Sequence, residues 1–210
     1  MGLQIFAFVI FCVGLSLGEN THFCENSQSL SEVRIPAYTL TQEDFDNNVV
    51  GATLKQAYIL LPDPAPFTVS SNYNCMITKI DATTYQRVCT GLEPACTEYI
   101  LTLTMETQGN MISFPYTDPN NNVVNEYYWS PCPSKFILRM QCSSDSIQVN
   151  QKCALSGARI TVFLVGDVNL NNAPWTDISH KIFTATGVKF GEIDGMNWFF
   201  TENTGTPCVP

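Results

Sequence analysis

EYILTLTME, Glu98–Glu106, is the stretch that decides the fold class. Glu98, Ile100, Thr102, Thr104 and Glu106 fall on one face of an extended chain, and Tyr99, Leu101, Leu103 and Met105 on the other. Side chains on a strand alternate with a period of two, so this run reads as a half-buried β-strand with the apolar set inward. Gln108-Gly109-Asn110 supplies a turn after it, and Met111–Thr117 is the hairpin partner.

The same rhythm extends in both directions. Downstream, Asp118–Asn122 (DPNNN) turns into Val123–Trp129, and a Pro131-Cys132-Pro133 corner leads to Lys135–Cys142, Ile147–Cys153 and Arg159–Val165. In KFILRMQC, Lys135, Ile137, Arg139 and Gln141 alternate with Phe136, Leu138, Met140 and Cys142, and the charges assign the first set to the outer face. Upstream lie Thr53–Leu61, ended by Pro62-Asp63-Pro64-Ala65-Pro66, and Asn74–Asp81; Tyr85–Thr90 either continues the latter or begins a new strand. The reading is all-β, with about eight strands in simple sequence order and connections short enough for hairpins.

One segment departs from this period. Between Asn172 and Gly187, Trp175, Ile178, Ile182 and Ala185 are spaced three, four and three apart. Pro174 suits a first helical position, Asp177 the first turn and Gly187 the residue after the last turn. This predicts a single amphipathic helix near the C-terminus.

Residues 1–18 (MGLQIFAFVIFCVGLSLG) carry no charged side chain and end in small residues, as a signal peptide does. The apolar run is too short to span a bilayer. Residues 19–210 are then expected to form one secreted, extracellular domain. Cys12 leaves with the signal, and Cys24, Cys75, Cys89, Cys96, Cys132, Cys142, Cys153 and Cys208 remain, an even set that predicts disulfides. With 10 basic against 19 acidic residues, the net charge of −9 disfavours nucleic acid as a partner. His22 and His180 show no metal-ligand spacing, and Gly-x-Ser-x-Gly and phosphate-binding glycine loops are absent from the sequence. No metal, cofactor or catalytic residue is expected, and binding is the better reading than an enzyme.

A leader, about eight up-and-down strands, one late helix, the short apolar Trp198–Phe200 and a C-terminal cysteine together resemble a divergent lipocalin, similar to those secreted by invertebrates such as arthropod salivary members. Gln42–Gly51 (QEDFDNNVVG) resembles the helical turn before the first strand, with Gly51 at the glycine of the family's Gly-x-Trp element. Thr53 stands where that element has Trp. Ser144-Asp145-Ser146 stands for Thr-Asp-Tyr, and Val165-Gly166-Asp167 lacks the family's Arg. The resemblance implies an eight-stranded antiparallel up-and-down barrel (a calyx) with one C-terminal helix packed outside, stapled by disulfides. It also implies Cys75–Cys208 and Cys24–Cys153 as pairs, which leaves Cys89–Cys96 and Cys132–Cys142 as local closures.

With charged residues marking the outer face, the interior of such a barrel would present Tyr58, Leu60, Met76, Tyr99, Leu101, Leu103, Phe114, Tyr116, Tyr127, Trp129, Phe136 and Leu138. That set suits a small hydrophobic ligand such as a lipid or sterol. Two alternatives stay open. One is a filled β-sandwich that acts through its surface on a protein partner. The other is a biogenic-amine-sequestering lipocalin, disfavoured because the phase puts Glu98, Glu106 and Glu126 outside.

Overall fold

The computed structural model describes residues 30–62, 73–91, 98–117, 121–148, 151–190 and 196–200. The expected signal peptide and Cys24, Cys96 and Cys208 lie outside them. In chain order the elements are β1 (Glu32–Arg34), α1 (Gln42–Asn48), β2 (Leu54–Pro62), β3 (Tyr73–Lys79), β4 (Thr84–Gly91), β5 (Glu98–Thr104), β6 (Glu106–Gln108), β7 (Met111–Thr117), β8 (Val123–Trp129), β9 (Phe136–Ser143), β10 (Ile147–Gln148), β11 (Lys152–Ala154), β12 (Ala158–Val165), α2 (Trp175–Thr186) and β13 (Met196–Phe200).

The main sheet runs β5-β4-β3-β2-β12-β9-β8-β7-β6, all its pairs antiparallel. Only Met105 separates β5 from β6, so one continuous segment, Glu98–Gln108, stands at both ends of that order. It pairs with β4 through its first half and with β7 through its second. The sheet therefore closes on itself into a barrel. Hydrogen-bonded runs number nine around the ring because of the break at Met105, where eight chain segments were expected.

Membership of the ring settles one open point of the sequence reading and corrects one expectation. Tyr85–Thr90 is a strand of its own, turned back by Asp81, whose Oδ1 accepts from the Thr83 and Thr84 N–H groups at 2.9 and 2.8 Å. Ile147–Cys153 is not a barrel strand. It folds into β10 and β11, which join β1 in a separate three-stranded sheet ordered β1-β11-β10. β13 pairs with β2 at Tyr58–Pro62, beyond the point where β3 leaves it.

Two apolar clusters result. One fills the barrel and is capped at one end by α1 through Phe45. The other lies outside the barrel, where α2 buries Ile178 and Ile182 against Leu138, Ile160 and Val162. The helix forms as its spacing predicts, ending at Gly187 with φ +79° and an N–H donated to the Phe183 carbonyl. It lies outside the barrel as expected.

The disulfides correct all four expected pairings. Cys75 on β3 is bonded to Cys89, its direct cross-strand neighbour on β4, and not to Cys208. Cys142 on β9 is bonded to Cys153 on β11, so Cys153 is not tied to Cys24 nor Cys142 to Cys132. Adjacent strands and the side sheet bring these sulfurs together, which spacing along the chain does not reveal. Cys132 is unbonded among the described residues. Non-reducing peptide mapping should recover the Cys75–Cys89 and Cys142–Cys153 peptides. The double substitution Cys142→Ala with Cys153→Ala should lower unfolding free energy by about 3 kcal/mol in urea titration, the loop-closure value for a bridge of this span.

The barrel interior as candidate functional site

The interior begins at the α1 end. Thr41 caps that helix, its hydroxyl oxygen accepting the Asp44 N–H at 3.1 Å. The Gly51 N–H, three residues past the end of α1, donates to the Ile77 carbonyl at 2.7 Å and fixes the crossing into β2. Phe45 is thereby held over the barrel end, with ring centroids 5.1 Å from Phe114, 5.1 Å from Tyr128 and 5.3 Å from Tyr85. These aromatic contacts, mostly edge-on, form a stopper at this end of the barrel.

A buried polar cluster adjoins the stopper. The Arg87 guanidinium, 2 % exposed, donates through Nη1 to Glu126 Oε1 and to the Tyr128 hydroxyl oxygen. The Tyr128 O–H donates to the same Glu126 oxygen. Gln141 Nε2 donates to Glu126 Oε2 at 3.0 Å and to the Tyr116 hydroxyl at 2.7 Å. Glu126 is fully buried and accepts three hydrogen bonds. Arg139 lies one step along β9 from Gln141 on the same face. Its Nη2 donates to Thr161 Oγ1 at 3.2 Å, and its guanidinium stands 5.0 Å from the Phe163 ring centre.

Electrostatics follow from this geometry. Burial opposes ionisation of Glu126, but the charges of Arg87 and Arg139 and the Arg87 and Tyr128 hydrogen bonds outweigh it, holding the carboxyl below its usual range. Burial likewise works against the Arg87 charge, and Glu126 more than offsets it. The Tyr128 phenol is pushed well up by burial and by the adjacent carboxylate. The cluster thus holds two cations and one anion, a net positive interior in a chain of net negative charge.

Of the residues expected to line the interior, Leu101, Leu103, Phe114 and Tyr116 do so. The Tyr99 side chain lies outside the described residues. Tyr58, Leu60, Tyr127, Trp129, Phe136 and Leu138 face outward into the cluster under α2. Met76 points out to solvent, 44 % exposed, while Cys75 and Ile77 beside it face in.

Two physical causes account for the inversions on β2, β8 and β9. On β2, Tyr58 pairs with Val162 and Gln56 with Phe163, so Ala57 is an extra bulged residue that flips the phase beyond it. On β8 and β9 the charged residue is the inner one, because α2 covers the outer face and claims the apolar set.

Sequence reasoning therefore missed Arg87, Glu126, Tyr128, Arg139 and Gln141. The available signal was α2 itself. Its buried stripe requires an apolar strip on the barrel exterior, which on β9 the Phe136, Leu138, Met140 phase provides. Among the described residues no three His, Cys, Asp or Glu side chains gather as metal ligands, and no helix is long and apolar enough to cross a membrane.

No protein-family model matches the chain, and no curated protein matches it. Among solved structures it is similar to lobster apocrustacyanin A1, at 10 % identity over 82 % of this chain and 93 % of that one, with a TM-score of 0.47. It is similar to the possum milk whey lipocalin trichosurin, solved with bound 4-ethylphenol, at 12 % identity over 70 % and 94 %, TM-score 0.42. A biogenic amine-binding protein is similar at 14 % identity over 82 % and 84 %, TM-score 0.48. All three likenesses lie below a TM-score of 0.5 and 15 % identity, and they assign this chain to no family.

Proposed function

We propose that this chain is a secreted binding protein that carries or sequesters a small hydrophobic molecule inside its barrel. The observation that carries the reading is the closed ring with a stoppered end. An interior lined by Leu101, Leu103 and Phe114 and set with a few buried polar groups has the make-up of a small-molecule site. A filled sandwich acting through its surface would not need a ring closed through Glu98–Gln108. The two disulfides among the described residues support an extracellular destination. Glu126 inside the barrel corrects its expected outward placement. Its two oxygens already accept Arg87, Tyr128 and Gln141, so it does not favour an amine ligand.

The test uses N-phenyl-1-naphthylamine, a neutral apolar fluorophore, titrated into the disulfide-intact chain. Leu101→Trp, at a half-buried inner position, should weaken its binding by about tenfold, roughly 1.4 kcal/mol. Met76→Trp, on the outer face, should leave it unchanged. Equal effects of the two variants, or no binding by the parent chain, would refute the carrier reading.

A further inference from the structure

Resting on that carrier reading, we propose that the barrel selects apolar molecules ending in a single carboxylate, with Arg139 as the residue that receives it. The interior charges divide unevenly. Arg87 and Glu126 form a matched pair, cross-linked by Tyr128. Arg139 is 8 % exposed, and its hydrogen bond goes to Thr161, a neutral hydroxyl. Its Nε is buried with no hydrogen-bond partner in the described structure, as are Arg87 Nε and Gln141 Oε1.

A guanidinium buried without a carboxylate of its own is costly, since desolvation is repaid only by a well-placed anion. Its planar fork matches the two oxygens of a carboxylate. Thr161 and the Phe163 ring fix the guanidinium in place, so little ordering is required on binding.

Charge fixes the ligand class further. Arg87, Arg139 and the half-buried Arg159, which stands opposite Gln141 on the inward face of β12, outnumber the Glu126 carboxylate, so an anion suits this interior. A primary ammonium meets two guanidinium groups and a carboxylate whose oxygens are already taken. Around this polar centre, Leu101, Leu103 and Phe114 offer apolar contact for the remainder of the molecule.

Three ligands of one tail length separate the possibilities: dodecanoic acid, dodecan-1-ol and dodecylamine, each displacing N-phenyl-1-naphthylamine from the disulfide-intact chain. The acid should bind about tenfold more tightly than the alcohol, and the amine more weakly than either. Arg139→Gln should bring the acid-to-alcohol ratio to about one, and Arg139→Lys, which keeps the charge but not the fork, should retain part of it. Equal binding of acid and alcohol by the parent chain, or preference for the amine, overturns the inference while leaving the carrier reading standing. Failure of the parent chain to bind the fluorophore and all three ligands overturns both. The parent series needs no variant, so a variant that does not fold cannot protect the inference.

Discussion

Glu126→Gln should destabilise the folded barrel by about 3–5 kcal/mol in urea unfolding, the range for removing one member of a buried ion pair. The substitution keeps the shape but leaves Arg87 charged and 2 % exposed without its anion. It also places an amide donor among three donors, from Arg87, Tyr128 and Gln141, that now converge on acceptors. Removing both partners is a different matter. Arg87→Met combined with Glu126→Gln should recover a large part of the loss, because the uncompensated cation has gone. A loss below about 1 kcal/mol for Glu126→Gln, within the range of surface ion pairs, would show that water reaches the cluster freely.

The same residue sets part of the acid sensitivity. The Glu126 carboxyl is held below its ordinary value of 4.5 in the folded barrel. A depressed folded value means that the unfolded chain binds the proton more readily. The contribution of Glu126 is therefore fully present above about pH 4.5 and is lost as pH falls through the folded value. Unfolding free energy measured from pH 6 downward should fall less steeply in Glu126→Gln than in the parent chain.

Much of the architecture was legible because it follows from local period. Glu98–Glu106 alternates cleanly, and there one face meets water and the other the barrel core. Leu101 and Leu103 were accordingly placed on the correct side. Trp175, Ile178, Ile182 and Ala185 gave the helix for the same reason. The polar cluster was illegible where that condition fails. β9 is buried along nearly its whole length on both faces, so polarity no longer marks the outside, and Arg139 faces inward onto Thr161 while Leu138 packs under α2. At Ala57 one bulged residue inverts the phase, and no feature of TLKQAYILL announces it. Cys75 and Cys89 were missed as a pair because their meeting depends on β3 and β4 being separate, in-register neighbours.

Phe45→Ala should cost about 3–5 kcal/mol, as for other large-to-small changes in a core. α1 has seven residues, too few to hold a helical conformation by itself, so its place on the barrel depends on what Phe45 buries. That ring meets Tyr85, Phe114 and Tyr128 at once, and its loss leaves all three with an unfilled neighbour. Phe45→Leu keeps most of the apolar volume and should cost less than about 1.5 kcal/mol. Thr41→Ala, which removes only the helix cap, should cost about 1 kcal/mol. Urea unfolding of the three variants orders them, and amide exchange at Val49 and Gly51 should quicken most in Phe45→Ala. If Thr41→Ala proves as damaging as Phe45→Ala, the helix rather than the aromatic stopper closes this end. Tyr128 belongs both to the stopper and to the Arg87–Glu126 cluster, so Phe45→Ala and Glu126→Gln should not add. Their combined loss should be smaller than the sum, because once Tyr128 shifts, its hydroxyl no longer holds the carboxylate that the second substitution removes.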